Sequence, residues 1–328
     1  MKTDQTEIRI RGKTVQAASA EVDGRTVIVK GRWLKLAALK DEELVQGEPV
    51  KNPDTFLASL RATSLRADIL SFAQKVPETT PKHDLYFEWD NAAVVSTVNF
   101  VDWWEQKLPQ EARKNARRAA KRGVVVEVAE FNTAFVEGIK AIYDETPVRQ
   151  GRKFWHFGKD LETVQEENAT YLERSEFIGA LLEGKLIGFI KLIYVDTVAE
   201  IVQILAMNEH QDKRPMNALL AKAVEVCSQK GITHLVYGKY SYGNNANSQL
   251  AEFKRRNGFE QMNFPRYFVP LTLKGRLALT MKLHRSLTQL LPARLVALLI
   301  AVRARLTSTA APKRAVEPTL VASLKKAG

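Results

Sequence analysis

The chain has 328 residues, which is enough for two domains or for one large domain with an appendage. A hydrophobic content of 45% and a charged content of 26% exclude disordered and collagen-like classes, and the single cysteine, Cys227, excludes an intrachain disulfide framework and a cysteine-rich zinc site. The net charge of +12 is uneven, because residues 273–328 carry +10 and the rest only +2, which favours one anionic surface contacted by the tail alone.

The first hundred residues alternate short apolar runs with turns, which predicts a sheet. The strands are expected within 7–30 and over 68–72, 85–89 and 92–95. Asn52 followed by Pro53 predicts the start of a helix, since asparagine caps helices and proline suits the first helical position.

From residue 109 onward, helices alternate with strands. A basic helix is predicted over 109–122, a strand over 124–128 and a helix over 133–143. After a segment that is irregular and then helical comes a dense run in the order strand, strand, strand, helix, strand, helix, strand, predicted at 177–182, 186–194, 199–206, 215–230, 234–238, 248–256 and 266–271.

The second half of this run carries the most specific motif. Asn247, Gly258 and Phe259 have the spacing found in the catalytic half of the GNAT (N-acetyltransferase) superfamily, which the element order also resembles. Phe253 and Lys254 replace the leucine and the frequently catalytic tyrosine that are usual there. A Phe-Lys pair at this point resembles the Fem-type transferases, which build peptidoglycan cross-bridges from aminoacyl-tRNA, and GNAT-like proteins of bacterial polysaccharide gene clusters.

This resemblance implies an α/β fold of two tandem GNAT-like units, each a mixed sheet with flanking helices. The units are expected over 1–108 and 109–272, followed by basic amphipathic helices over 273–306 and a disordered tail over 307–328. The implied activity is transfer of an acyl group, from acyl-CoA or aminoacyl-tRNA, to an amine or hydroxyl of a cell-envelope or polysaccharide precursor. The alternative is a non-catalytic module of the same fold that binds nucleic acid or anionic lipid.

Four residues are candidate catalytic groups. Lys254 can stabilise the oxyanion of a tetrahedral intermediate or a donor phosphate, or it is simply a solvated helix lysine. Tyr240 follows a strand, at the edge where open α/β sheets bind ligands, and can protonate a leaving group. Glu145 and His156 are candidate bases for the incoming acceptor. Ordinary packing or solvation is the alternative for each.

The donor is expected near the start of the helix predicted over 215–230. Acetyl-CoA enzymes of the superfamily have a glycine-rich loop there, whose N–H groups bind pyrophosphate. This chain has no glycine at that point, and Pro215 removes a donor, but Lys213 and Arg214 can contact a phosphate. The resemblance adds Asn247 and Phe253 as donor-binding residues. No metal ligand set is predicted.

The acceptor is expected near residues 151–159, which place three aromatic side chains among cations. A cation on an aromatic platform suits a sugar, a phosphate or a stacked base, whereas the alternative is a packed loop with its phenylalanines inward. Arg152 and Trp155 are the predicted contacts, and Arg149 can pair with a carboxylate or phosphate. Gln203, a polar residue in an apolar strand, needs either the acceptor or a structural partner.

The basic helix presents cations at helical spacing without an interleaved acid after Glu111, which predicts contact with a polyanion such as tRNA, CoA or a lipid diphosphate. The predicted contacts are Arg113, Arg117, Arg118 and Lys121.

The tail is predicted to form a helix over 276–291 and a second from Pro292. The apolar run of the second helix is too short to span a bilayer, so the tail is expected to lie on an anionic membrane surface or to dock on the body of the protein. The polar first residues show no secretory signal, and the expected location is the cytoplasm, with peripheral attachment to the inner membrane face.

Overall fold

The computed structural model describes residues 4–10, 13–149, 151–242 and 248–285. Twelve strands of these residues join one mixed sheet, and two further strands, β8 (Val148–Arg149) and β9 (Arg152–Lys153), form a small hairpin. In chain order the strands of the large sheet are β1 (Asp4–Ile10), β2 (Lys13–Val22), β3 (Arg25–Lys30), β4 (Leu36–Leu39), β5 (Ile69–Ala73), β6 (Phe87–Ser96), β7 (Val124–Ala129), β10 (Ser175–Leu182), β11 (Lys185–Val195), β12 (Val198–Ala206), β13 (His234–Val236) and β14 (Glu260–Pro270).

The pairing of the strands repeats from the two edges of the sheet towards its centre. From one edge, β1, β2, β3 and β4 pair antiparallel, β4 pairs parallel with β5, and β5 pairs antiparallel with β14. From the other edge, β7, β10, β11 and β12 pair antiparallel, β12 pairs parallel with β13, and β13 pairs antiparallel with β6. β14 and β6 join the two series at the centre. This internal repeat agrees with the predicted tandem α/β fold.

The two repeats interlock, because β14 lies in the first series and β6 lies between β14 and β13. Residues 1–284 accordingly form one compact unit. The predicted division at residue 108 stays a prediction.

The helices begin where the sequence places capping residues. The Asn52 side chain accepts from the Asp54 and Thr55 amides, and Asn132 and Ser248 cap later helices in the same way. The helices of the described residues are α1 (Pro53–Ala62), α2 (Phe100–Asp102), which continues into a π-turn to Lys107, α3 (Gln110–Lys121), α4 (Thr133–Asp144), α5 (Leu161–Asn168), α6 (Pro215–Gln229), α7 (Gln249–Arg256) and α8 (Leu273–Thr280).

Helices cover both faces of the second half of the sheet. α6 buries Leu219, Leu220 and Ala223 in the largest apolar cluster, against β10 to β13, and α3 packs on α6. α4 and α5 build a second cluster on the other face, around Phe177 and Phe189. α6 connects the parallel pair β12–β13, and α1 has the same position between β4 and β5.

Several predicted boundaries are wrong. The last strand, predicted over 266–271, begins earlier as β14, because its pairing with β6 already starts at Glu260. The strands predicted over 85–89 and 92–95 are one strand, β6, because the polar residues between them still pair with β14. The helix predicted over 276–291 begins earlier, at Leu273, because Thr272 caps it. It ends at Thr280, and Lys282 adopts a left-handed conformation after it. The rest of the predicted tail, from residue 286, lies outside the described residues. Of the helices that the structure describes, none is both long and apolar enough to cross a bilayer.

Candidate functional site

The parallel strands β12 and β13 separate after a short pairing. Three residues of each strand are paired, ending at Glu200 and Val236. Beyond that point the chain after β13 stays bonded to β6, where the Tyr237 amide donates to the Ala93 carbonyl over 2.8 Å. β12 also carries a bulge at Val202, where its register against β11 shifts. Bulges and strand separations of this kind re-aim side chains and are frequent beside active sites.

Glu200 lies at the point where the strands separate. Its side chain lines a cavity of about 100 Å³, together with Val198 from the same strand and residues of the first half of the chain. Burial raises the pKa of the Glu200 carboxyl to about 8, and the nearby carboxylate of Glu43 contributes to the rise. Among the described residues, Glu200 has no ion-pair partner. A carboxyl with this pKa exchanges a proton near neutral pH, as a general base must.

A charged network holds the other wall of this cavity. Arg266 of β14 pairs with Glu42 over 3.0 Å and with Asp90 of β6 over 2.8 Å, and Lys239 also binds Asp90, over 2.7 Å. Although burial alone would raise the pKa of Asp90, the two cations hold it below its usual value. The network ties the first half of the chain to the segment that follows β13.

Lys254 is buried, with 1% of its surface exposed, which excludes the alternative of a solvated helix lysine. Its ammonium group donates to the carbonyl of Tyr237 over 2.6 Å and to that of Lys239 over 2.7 Å, and it lies 4.3 Å from the Tyr237 ring centroid. Burial lowers its pKa to about 8. Lys254 therefore binds the backbone that follows directly after Val236, the strand partner of Glu200.

The remaining residues at the end of β13 include two of the predicted site residues. Tyr240 and Phe253 are half-buried and pack against the largest apolar cluster. Burial also raises the pKa of the neighbouring Tyr237 hydroxyl to about 12. Asn247, predicted to bind the donor, lies outside the described residues.

Glu145 and Arg149 form a largely buried ion pair, with Nη2 2.8 Å from Oε2. The other oxygen of Glu145 accepts from the Glu209 amide over 2.8 Å, and Arg149 also donates to the carbonyls of Ala206 and Ile142. Both side chains thus have internal partners at the end of β12. Their predicted roles, Glu145 as a base and Arg149 as an acceptor contact, stay predictions. The ion pair is also consistent with a purely structural role, since both side chains have internal partners.

His156 and Gln203 lie close together beneath the 151–159 loop. The Gln203 amide donates to the Tyr143 hydroxyl over 2.6 Å and lies 3.5 Å from Nε2 of His156. Gln203 therefore has a structural hydrogen-bond partner, which was one of the two alternatives for this residue. His156 is buried and stacks on the rings of Tyr143 and Trp155.

The outer part of this loop has the predicted cation and aromatic character. The Lys159 ammonium lies 4.4 Å from the centroid of the half-exposed Trp155 ring, and Arg152 is exposed. Phe154 is inward, whereas Phe157 is exposed, so the loop only partly follows the packed alternative.

The predicted donor loop precedes α6. Arg214 adopts a left-handed conformation with φ 61°, Pro215 is buried as the first helical residue, and Met216 packs against the apolar cluster below. The Lys213 Nζ lies 3.9 Å from Oδ2 of Asp212. Because α6 has no side-chain cap, the amides of its first turn are its available anion donors, with Lys213 and Arg214 beside them. These groups fit a phosphate.

The basic helix α3 packs beside this loop. Its C-terminal Arg122 contacts Asp212 over 3.2 Å, and Arg113 pairs with Glu105 of the preceding turn over 2.7 Å. The predicted uninterrupted basic stripe is therefore partly neutralised by acids from outside the helix. Arg117, Arg118 and Lys121 are exposed.

The structure thus collects the predicted residues that it describes in four places: the end of β12, the 151–159 loop with Gln203, the end of β13, and the start of α6 with α3. Sequence reasoning missed Glu200, although a glutamate inside an apolar strand was a visible signal. Among the described residues, no cluster of three or more histidine, cysteine or acidic side chains can hold a metal ion.

Comparison with known proteins agrees with the α/β fold described above. Residues 137–259 match the model of the acetyltransferase (GNAT) family. No curated protein matches the chain. Three solved structures share its fold, each over most of both chains. L-PGS of Bacillus licheniformis is 17% identical and covers 81% of this chain and 88% of its own, with a TM-score of 0.53.

The other two are similar at the same level. The C-terminal domain of a protein described as a lysylphosphatidylglycerol synthetase of Agrobacterium fabrum is 15% identical and covers 80% and 87% of the two chains, with a TM-score of 0.52. FemX is 12% identical and covers 85% and 90%, with a TM-score of 0.53. The predicted resemblance to the GNAT family is confirmed over residues 137–259, and the fold is shared with FemX.

Proposed function

We propose that this GNAT-like acyltransferase of the Fem type transfers an acyl group, from acyl-CoA or aminoacyl-tRNA, to an amine or hydroxyl of a cell-envelope or polysaccharide precursor. The observation that carries the proposal is Glu200, a carboxyl with a pKa of about 8 where β12 and β13 separate. An envelope acceptor is supported by the name of the Agrobacterium fabrum protein, lysylphosphatidylglycerol synthetase, because that name joins a lysyl group to a phospholipid.

In the proposed reaction, ionised Glu200 takes a proton from the acceptor amine or hydroxyl as the acceptor attacks the acyl carbonyl. A new C–N or C–O bond forms, and the bond from the acyl carbon to the sulfur of CoA or the ribose oxygen of tRNA breaks. Tyr240 is the candidate that donates its hydroxyl proton to the leaving CoA thiolate or tRNA ribose oxygen, and it regains a proton from solvent, to which Glu200 releases the proton taken from the acceptor.

Lys254 has a different part in this scheme. Two of its three N–H groups hold the carbonyls of Tyr237 and Lys239, which fixes the end of β13. Its buried charge favours an anion at that end, either the oxyanion of the intermediate or a donor phosphate. The exposed cations of α3, with Lys213 and Arg214, are proposed to contact the anionic body of the donor, a CoA or a tRNA.

The acceptor is proposed to enter the cavity between the two halves of the chain. Glu200 lines it, and a neighbouring cavity of about 210 Å³ shares the wall formed by residues 73–76. Trp155, Arg152 and Arg149 are the second proposed acceptor contacts. Attachment of residues 273–306 to the inner membrane face also stays part of the proposal.

The donor is identified by thermal unfolding against acetyl-CoA, longer acyl-CoAs and aminoacyl-tRNA, because a ligand that binds the native state raises the midpoint. The stabilising donor is then incubated with primary amines and with the matching alcohols, and mass spectrometry detects the acylated product. We expect one donor class to stabilise the protein and to be consumed. Stabilisation by uncharged tRNA or by lipid, with no product from any donor, would instead support the non-catalytic binding module.

A further inference from the structure

Helix α8 exposes an apolar stripe. Leu273, Leu277 and Met281 are spaced four residues apart, so they share one side of the helix, and they are 83%, 60% and 57% exposed. The opposite side is buried through the small residues Gly275 and Ala278. An exposed stripe of three large apolar side chains is unusual for a surface that meets only water.

This stripe belongs to a firmly anchored helix. The Thr272 hydroxyl donates to Asp68 over 3.0 Å and accepts from the Gly275 amide, so it caps the helix and ties it to the sheet. A Cβ on Gly275 would lie 1.9 Å from the Asp68 carbonyl oxygen, which shows how closely the helix approaches. After the helix, the His284 ring packs 4.7 Å from Phe268 and contacts Glu88 over 2.9 Å.

Cations and a tryptophan surround the stripe. Trp33 is 63% exposed, and the Lys274 ammonium lies 5.0 Å from its ring centroid and donates to its carbonyl oxygen. Arg276 is exposed on α8 and Lys282 is exposed just after it, and residues 272–285 contain no acid. Apolar side chains flanked by tryptophan and cations are the composition of helices that lie in the headgroup region of a bilayer.

We infer that α8 and Trp33 form a lipid-contact surface that seats on an anionic leaflet, with the apolar stripe inserted between headgroups and Lys274, Arg276 and Lys282 at phosphate level. Charge selects this occupant over the two others available. Residues 286–328 of the same chain carry +6, and a second copy would bring the same cations, so both would be repelled. The inference rests on the proposed attachment of residues 273–306 to a membrane face and assigns that contact to α8 and Trp33, whereas it does not depend on the acyl transfer proposed above.

The test uses the full chain and vesicles of phosphatidylcholine with and without phosphatidylglycerol, measured by co-sedimentation. We expect binding to the anionic vesicles only, weakened by added salt because screening shortens the reach of the cations. Leu277→Asp should lower the partition coefficient at least about tenfold, because it places an anion where an apolar side chain inserts. Val98→Asp is the matched control, since Val98 is 68% exposed on another part of the surface, and it should bind like the wild type.

The two variants have exposed substitution sites, so their unfolding midpoints should match that of the wild type, and this is checked first. The inference is overturned if the wild type does not bind anionic vesicles, or if Leu277→Asp binds as tightly as Val98→Asp. A second copy as the occupant is detected by sedimentation velocity: a wild-type dimer that Leu277→Asp dissociates, without vesicle binding, would also overturn it.

Discussion

Replacing Glu200 by glutamine should change how the stability of the protein depends on pH. The carboxyl has a pKa of about 8 in the folded protein, raised from 4.5 by burial and then by Glu43. Below pH 4.5 it is protonated in both the folded and the unfolded state. As the pH rises from 4.5 to 8, the unfolded chain releases the proton and the folded chain keeps it, so the free energy of unfolding falls.

The size of this effect follows from the difference between the two pKa values. At 1.36 kcal/mol for each pH unit, Glu200 lowers the free energy of unfolding by roughly 3–5 kcal/mol between pH 5 and pH 8.5. Glutamine resembles the protonated carboxyl and does not titrate. The free energy of unfolding of Glu200→Gln, relative to that of the wild type, should therefore increase by that amount as the pH is raised. The contributions of all other titrating groups are the same in both proteins and cancel in this difference.

The assay is urea unfolding of both proteins at pH 5 and at pH 8.5. Glu252→Gln is the control, because Arg255 and Arg256 lower the pKa of Glu252 to about 2, and its difference from the wild type should be the same at both pH values. If the difference between Glu200→Gln and the wild type were also the same at pH 5 and pH 8.5, Glu200 would not be a neutral-range base, and its proposed role would be refuted.

Two further predictions concern the buried contacts around the site and the lipid-contact surface. Lys254→Ala should lower the free energy of unfolding, measured in urea, by about 2–4 kcal/mol, since it removes a buried side chain and leaves two carbonyls without their donor. The control Arg255→Ala, at an exposed site, should change it by less than about 0.5 kcal/mol. Equal effects of the two variants would contradict the burial of Lys254. Gly275→Ala should lower the free energy of unfolding by about 1–3 kcal/mol and release α8 from the sheet, because the added Cβ meets the Asp68 carbonyl. Limited proteolysis should then cleave at α8, whereas the control Arg276→Ala should be cleaved like the wild type. An unchanged cleavage pattern for Gly275→Ala would argue against the close approach to Asp68.

The sequence predicted the local elements of the second half well, because caps and helical periodicity are local signals. Asn132 and Ser248 cap helices as their residue types favour, and Pro215 begins α6. The interlocked central strands were not predictable in this way, because β6 pairs with β13 and β14 across more than 130 residues of chain.

The candidate site was harder to predict for the same reason. The pKa of Glu200 is raised because residues from the first half of the chain close a cavity over it. Lys254 is buried because the chain after β13 turns back to offer two carbonyls, a long-range arrangement that its basic neighbours in sequence conceal. The motif around Lys254 indicated the resemblance to the GNAT family, whereas the surroundings of Lys254 could be seen only in the structure.

The central claim is that Glu200 is the base of an acyl transfer, and the pH dependence of the transfer rate tests it most directly. With the stabilising donor and an acceptor that does not itself titrate between about pH 6 and 9, the wild-type rate should rise with pH and level off above about 8, as Glu200 ionises. Glu200→Gln should be slower by about 10²–10⁴-fold and should lose that inflection. A Glu200→Gln enzyme with the wild-type rate and the wild-type pH profile would contradict the account.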